Sequence, residues 1–414
     1  MAKKLWGGRF TKKTDKDFFE FQKSIQYDHK LAKYDVMHSL IHVAALGWAK
    51  FLSPAEKSKL IGSLKEIREE IKAGKFKYNP KSEDVHTEIQ NRVEKKLGKL
   101  ALKLHTLRSR NDQVAFDEKG YCSERSAYVE KLLGDVLKSI KFLQNKYKNV
   151  HVVGYTHTQR AQKVLFKDYL GAFYCMLERD KNRVVGFYNN LQIHIGAGAL
   201  AGSPIGREKY SKAIKKQFEE EGFFITPSVN TLDDVSDRDF IAELLSILSI
   251  LQMHLSRLAE DFILFSTKEF NFLSLPEEFC TGSSLMPHKK NPDFLEMTRG
   301  YTGRVYGNLI SILTTMKGLP LTYNRDMQLD KEPLFSSVEI IENELKIMAK
   351  FLKGVSLNKE AIKCALRDES LYAVDAAMKL VQEKNIPFRT AHEIIGKKIL
   401  MKEELAKRST RRQF

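Results

Sequence analysis

Cysteine is scarce in this chain and nowhere paired. Cys122, Cys175, Cys280 and Cys364 stand far apart, with no Cys-x-x-Cys spacing. That excludes a disulfide framework and a cysteine-built zinc site, and suits a reducing cytoplasm in which thiols act as small buried apolar groups. No run of about eighteen or more consecutive apolar residues occurs, so no membrane-spanning helix is expected. Residues 1–9 are basic but lack the apolar stretch and small-residue cleavage site of a secretory signal, so a cytoplasmic location is expected. Strand-like alternation with turn signals is scarce, and internal repeats and low-complexity segments are missing. Proline is absent between Pro80 and Pro204 and again between Pro227 and Pro276, so nothing there breaks a helix.

What is present begins with charge. The 69 Lys and Arg outnumber the 52 Asp and Glu for a net +17, which favours anionic partners such as a polycarboxylate substrate. The lysines are spread along the chain, and only Lys407-Arg408 with Arg411-Arg412 make a compact basic tail. No recognition helix, zinc finger or RNA-binding signature accompanies them, so neither nucleic acid nor membrane is expected as a partner. At 414 residues and 43% hydrophobic content, several folded domains are expected rather than disorder.

Within the proline-free spans, apolar residues recur at helical spacing. One stripe is Val129, Leu132, Leu133, Val136, Leu137, Ile140 and Leu143. A second runs from Phe240 and Ile241 through Leu244, Leu248, Leu251, Leu255 and Leu258 to Phe262. It predicts a long helix from about Val235 to Phe265, apolar almost all round, with Asp234 and Ser236 as caps. Gly300, Gly303 and Gly307 lie on one face of a third helix, where they suggest close backbone approach between packed helices. The expected fold is all-α: an N-terminal helical domain (1–109), a central long-helix bundle (110–357) and a smaller C-terminal helical domain (358–414).

Three polar segments interrupt the helices. Residues 282–293, Gly-Ser-Ser-Leu-Met-Pro-His-Lys-Lys-Asn-Pro-Asp, form a loop whose hydroxyls, amide and ammonium groups suit carboxylate binding, with Glu296 just beyond. Thr156, His157, Thr158, Gln159 and Arg160 crowd a junction before a helix. His105 to Gln113 brings Arg108, Arg110 and Asn111 to the start of another, where arginine forks and the helix dipole favour anions.

Together these segments resemble the fumarase/aspartase superfamily, whose signature loop reads G-S-S-x-M-P-x-K-x-N. Leu5-Trp6-Gly7-Gly8-Arg9-Phe10, Glu83-Asp84-Val85-His86-Thr87, Arg108 to Val114, the glycine-rich 196–202 and Thr322-Tyr323-Asn324-Arg325-Asp326 narrow the resemblance to the argininosuccinate lyases. It extends to about Lys398. The resemblance implies β-elimination of argininosuccinate to arginine and fumarate without a cofactor or metal. It also implies a homotetramer with active sites shared between subunits. Ser283 matches the serine that handles the Cβ proton, His157 the histidine that handles the proton on the departing guanidino nitrogen, and Glu296 its carboxylate partner. Lys289 and Asn291 match groups near the substrate carboxylates. Ser24, Arg110, Asn111, Thr156, Tyr323, Gln328 and Lys331 match the remaining substrate contacts.

Three departures stand out. Lys163 occupies a usual proline position, Leu107 replaces a small residue, and the C-terminal domain is expected to be shortened, ending at Arg412-Gln413-Phe414. The alternatives are a sister fumarate-releasing lyase and a non-catalytic structural protein of the δ-crystallin kind.

Overall fold

The computed structural model describes residues 11–218 and 224–410. The segment Leu5 to Phe10, the 1–9 start, Arg411-Arg412 and the terminal Gln413-Phe414 lie outside the described residues, as do the side chains of Lys407 and Arg408.

Helices dominate. The N-terminal part contains α1 (Lys16–Gln22), α2 (Ile25–Asp28), α3 (Ala32–Trp48), α4 (Pro54–Lys72) and α5 (Val85–Leu97). Ser53 starts α4 with a capping box, its hydroxyl accepting from Glu56 N–H while Glu56 accepts from Ser53 N–H, and Pro54 sits where its missing N–H is harmless. The 37-residue α6 (Arg110–Lys146) follows, about 55 Å long at 1.5 Å per residue. A hairpin of β1 (His151–Thr156) and β2 (Gln159–Leu165) leads to α7 (Phe166–Asn190) and β3 (Ile193–Ile195). Next come α8 (Arg207–Phe218), β4 (Ile225–Pro227), α9 (Thr231–Ser236) and α10 (Asp239–Ser266). β5 (Leu273–Ser274) precedes α11 (Asp293–Met316) and α12 (Lys331–Gly354). The chain closes with β6 (Ser356–Leu357), α13 (Lys359–Ala365), α14 (Ala373–Lys384) and α15 (Phe388–Thr410). β1 and β2 pair antiparallel with a bulge at Gly154/Tyr155, β3 and β4 pair parallel, and β5 and β6 pair antiparallel. The fold is all-α with small strand pairs as fasteners.

The chain divides into two compact units, each gathered from three stretches. One comprises Met1–Lys131, Asp180–Gln252 and Tyr301–Asn343; the other comprises Leu132–Arg179, Met253–Gly300 and Glu344–Phe414. In the first, α3 is the core helix, with Leu40, Ile41, Val43 and Leu46 almost wholly buried and α4, α5 and α8 against it. In the second, the buried Phe262 and Phe351 form an aromatic cluster with the half-buried Phe279 and Phe294.

Both apolar stripes are buried along their lengths, from Val129 to Leu143 on α6 and from Phe240 to Phe262 on α10. Each fully buried Leu or Phe contributes roughly 1.5–3 kcal/mol. By length and composition α10 could also cross a membrane, with mean hydropathy 1.3 over its best window, but 61% of that window is buried within the chain, as in a core helix.

Five expectations need correction. The helix does not run unbroken from Val235: α9 ends at Ser236, and α10 starts at Asp239. Asp237, not Asp234 or Ser236, caps α10, accepting from Arg238 N–H at 2.6 Å and Asp239 N–H at 2.8 Å. Asp234 is held by the Ser228 hydroxyl and the His194 ring, and Ser236 bonds back to the Leu232 carbonyl. The Thr156–Arg160 junction is a β-hairpin, not a helix lead-in. Gly300, Gly303 and Gly307 make no close approach within the chain, because a Cβ at each would meet nothing within 4 Å. Finally, only Cys122 is a buried thiol; Cys175 and Cys364 are exposed, and Cys280 is half-buried.

Candidate active site

In the first unit, polar side chains converge on a pocket of about 260 Å³. Three helix starts and one turn build it. Ser24 precedes α2, its N–H donating to the Glu83 carbonyl at 2.9 Å and its hydroxyl to Asp28 Oδ2 at 2.6 Å. The N–H of Val85 donates to Asp28 Oδ1 at 3.0 Å, which locks α2 to the start of α5. Asp84 caps α5 by accepting from Thr87 N–H at 2.8 Å. Arg110, the first residue of α6, reaches Asp84 at 2.7 Å and the Thr87 hydroxyl at 3.0 Å. Asn111 beside it donates to the Ala199 carbonyl at 3.3 Å. From the other side, the turn at Arg325–Asp330 presents Gln328, which donates to the Gln22 carbonyl at 2.7 Å, and Lys331 follows it. Ser24, Arg110, Asn111, Tyr323, Gln328 and Lys331, all expected at the substrate, thus line one cavity.

Burial, reinforced by the charge of Asp84, pushes the Asp28 carboxyl up to about 6. Burial works the same way on Asp84, but Arg110, His86 and the Thr87 N–H outweigh it and hold that carboxylate below its usual range. Burial, with Arg108 and Arg110 nearby, lowers His105 to about 4, so its ring is a neutral imidazole at neutral pH. Lys331 is buried too, yet Asp330 and Glu118 more than offset the desolvation and keep its ammonium charged well past the usual range. The pocket thus combines fixed cations with carboxylates of differing affinity for a proton, the equipment for a ligand carrying both carboxylates and cationic nitrogen.

Behind His86 lies a second buried group. Asp35 Oδ1 is 2.9 Å from His86 Nδ1 and 2.6 Å from Gln113 Nε2. Asp35, His86 and Asp117 hold one donor atom each within 4.8 Å of one another, the grouping a cation could use. A cation there would have to displace the Asp35–His86 hydrogen bond and sit near the Arg108 charge that already lowers the Asp35 pKa.

The remaining expected residues belong to the second unit. Thr156 ends β1, and His157 forms the hairpin tip with Thr158; the side chains of all three are exposed. His157 and Thr158 have φ of 54° and 59°, the paired left-handed conformation of a tight hairpin turn. The 282–293 loop is strapped at its base by reciprocal backbone hydrogen bonds between Thr281 and Asn291 and by the Thr281 hydroxyl on Asp293. Within it, Ser283 Oγ accepts from Met286 N–H at 3.0 Å, curling the backbone around the serine. Lys289 is exposed, Asn291 half-buried at the strap, and Glu296 exposed in the first turn of α11.

Comparison with known proteins now bears on this arrangement. The chain matches the family model described as Lyase over residues 8–307 and that described as Argininosuccinate lyase C-terminal over residues 370–411. It is 43% identical over 407 residues to the argininosuccinate lyase of Carboxydothermus hydrogenoformans, spanning 97% of this chain and 87% of that one. It is 44% identical over 401 residues to that of Legionella pneumophila, spanning 96% and 95%.

The chain belongs to the argininosuccinate lyase family.

Solved structures agree on the fold. An EDDS lyase in complex with formate superposes with TM-score 0.77 at 22% identity, covering 96% of this chain and 78% of that one. The class II fumarase of Schistosoma mansoni gives 0.72 at 17% identity, covering 89% and 88%. Within this family member the pocket also contains residues given no role from sequence: Asp28, Glu83, Asp84, His86, His105, Val114 and Arg325. Most fall in segments that carried the resemblance. Asp28 had only its helical spacing from Ser24 as a signal.

Proposed function

We propose that the protein cleaves argininosuccinate to arginine and fumarate by β-elimination, with the first-unit pocket holding part of the substrate. The observation that carries the reading is the convergence of Ser24, Arg110, Asn111, Tyr323, Gln328 and Lys331 on one cavity from segments up to three hundred residues apart. In the reaction a C–H and a C–N bond break and a C=C bond forms. The proton leaves from a carbon next to a carboxylate, so negative charge builds on that carboxylate before the nitrogen departs. Cations and N–H donors fixed in a water-poor site stabilise such charge best. Ser283 takes the carbon-bound proton, with Lys289 and Asn291 near the carboxylates. His157, oriented by Glu296, supplies the proton to the leaving guanidino nitrogen. No metal or cofactor enters these steps.

Thr156, His157, Ser283, Lys289, Asn291 and Glu296 reach the pocket, in this reading, from other copies in a homotetramer. The exposed face of α11 supports assembly: Gly300, Gly303 and Gly307 are open, and on the same helix Ile310 is 60% exposed and Met297 53%. A smooth, uncovered helix face with exposed apolar side chains suits a second helix at close range. The division at residues 109 and 357 and a cytoplasmic location belong to the same proposal. Purified protein mixed with argininosuccinate should produce the ultraviolet absorbance of fumarate. A preparation of intact assembly that yields none refutes the reading.

A further inference from the structure

We propose that Glu118 and Asp330 are positioning residues that aim the Lys331 ammonium at a carboxylate of the substrate, with Arg238 as their bracket. The inference rests on the pocket being the substrate site. Neither Glu118, Asp330 nor Arg238 lines the cavity; only Lys331 does. Behind it the four side chains close a ring. Glu118 Oε1 is 2.5 Å from Lys331 Nζ, and Glu118 Oε2 is 2.8 Å from Arg238 Nε. Asp330 repeats the pattern, with Oδ1 2.9 Å from Lys331 Nζ and Oδ2 3.0 Å from Arg238 Nε. Arg238 is itself pinned through a 2.7 Å hydrogen bond from its guanidinium to the Asp237 carbonyl, at the break before α10. Two basic groups face two acidic ones, burial and the charge of Asp330 pushing the Glu118 carboxyl up to about 7, and none of the four residues is more than 4% exposed.

Stability does not explain such a ring. Desolvating ions costs several kcal/mol each, and well-packed apolar residues in place of a buried ion pair are often as stable or more so. What the ring provides is direction. An ammonium has three N–H donors in fixed tetrahedral geometry. One is donated to Asp330, the Glu118 carboxylate holds the ammonium from a second side as an ion pair, and a donor remains for a ligand in the cavity that Lys331 lines. A lysine on a flexible four-carbon stem would otherwise lose rotamer freedom at the moment of binding. The ring removes that freedom beforehand.

The test is steady-state kinetics with argininosuccinate on the assembled enzyme. Glu118→Gln should raise KM about tenfold or more while changing kcat much less, the mark of lost binding that is shared by ground and transition states. Glu118→Asp should recover part of the loss. Lys331→Met should raise KM at least as far, and adding Glu118→Gln to Lys331→Met should bring no further rise, because the carboxylate acts only through the ammonium. If Lys331→Met keeps the parental KM, the pocket reading fails. If Lys331→Met raises KM but Glu118→Gln does not, or if their effects multiply, the positioning role alone is overturned. Asp330→Asn provides the same comparison should Glu118→Gln not fold. Failure of both to fold would mark the ring as structural and refute the proposal.

Discussion

Asp28 offers the most direct check on the electrostatics of the pocket. Its carboxyl is buried, accepts from Ser24 Oγ and Val85 N–H, and keeps its proton to about pH 6 against 3.8 ordinarily. Asparagine has the same outline: its carbonyl accepts from Val85 N–H, and its amide donates to the Ser24 hydroxyl, reversing one hydrogen bond without losing it. It differs in never ionising. With a folded pKa raised above the unfolded one, the stabilisation from the protonated form is complete below about pH 4 and is lost as the pH climbs through about 6. The parent therefore carries a penalty that grows from roughly 2 kcal/mol at pH ~5 to roughly 3 kcal/mol at pH ~8, the latter being nearly the whole rise from 3.8 to about 6. Asp28→Asn removes it. Urea unfolding of parent and variant, at equal protein concentration, should show the advantage of the variant growing by roughly 1 kcal/mol between those two pH values. Taking the difference between the proteins cancels groups that titrate alike in both. An advantage constant to within about 0.5 kcal/mol would mean that Asp28 ionises normally and that the reasoning is wrong.

Three further outcomes are expected. Ser283→Ala should bind argininosuccinate nearly as the parent does by calorimetry while turnover falls by about 10²–10⁴; mixing it with His157→Asn under conditions of subunit exchange should restore part of the activity, and no recovery would place both groups in one chain. Ile310→Lys should stop assembly by charging the open face of α11, giving smaller, inactive particles by light scattering; an active monomer would refute shared sites. Leu107→Asn should stabilise by about 1 kcal/mol, because Leu107 sits at φ 56°, where a branched side chain is strained and asparagine is tolerated; an unchanged or lower melting temperature would count against that strain.

The long helices were legible because their apolar periodicity is unambiguous and proline is absent from their interiors. The pocket was half legible. Ser24, Arg110, Asn111, Tyr323, Gln328 and Lys331 came from the family resemblance, and Asp84 lay in a segment that carried it without receiving a role, but Asp28 acts through Val85, a partner brought to it by folding, and no motif marks it. The interruption at Asp237–Arg238 escaped for the same reason. Arg238 reads as an ordinary helix-start residue, and only Glu118 and Asp330, distant in sequence, explain why it is fully buried. The 151–165 hairpin was missed because its turn has neither glycine nor asparagine at its two left-handed positions. Leu107 is the converse case: the small residue usual at its position finds a physical reason in the backbone there.

The hairpin tip also dictates how the imidazole it carries can be dissected. With His157 and Thr158 both left-handed, a replacement does two things at once: it changes the chemistry and it renegotiates the backbone. Valine or isoleucine at 157 would meet steric resistance at that φ and could swing the tip away, producing an inactive enzyme that says nothing about proton transfer. Glycine would relax the turn and let the tip wander. Asparagine, at home in that region, keeps the tip in place while removing the titrating ring. Among substitutions at this position it is the one whose effect on rate can be read as the loss of a proton carrier, and a library scored on activity alone would confuse residues that cannot do the chemistry with residues that cannot make the turn.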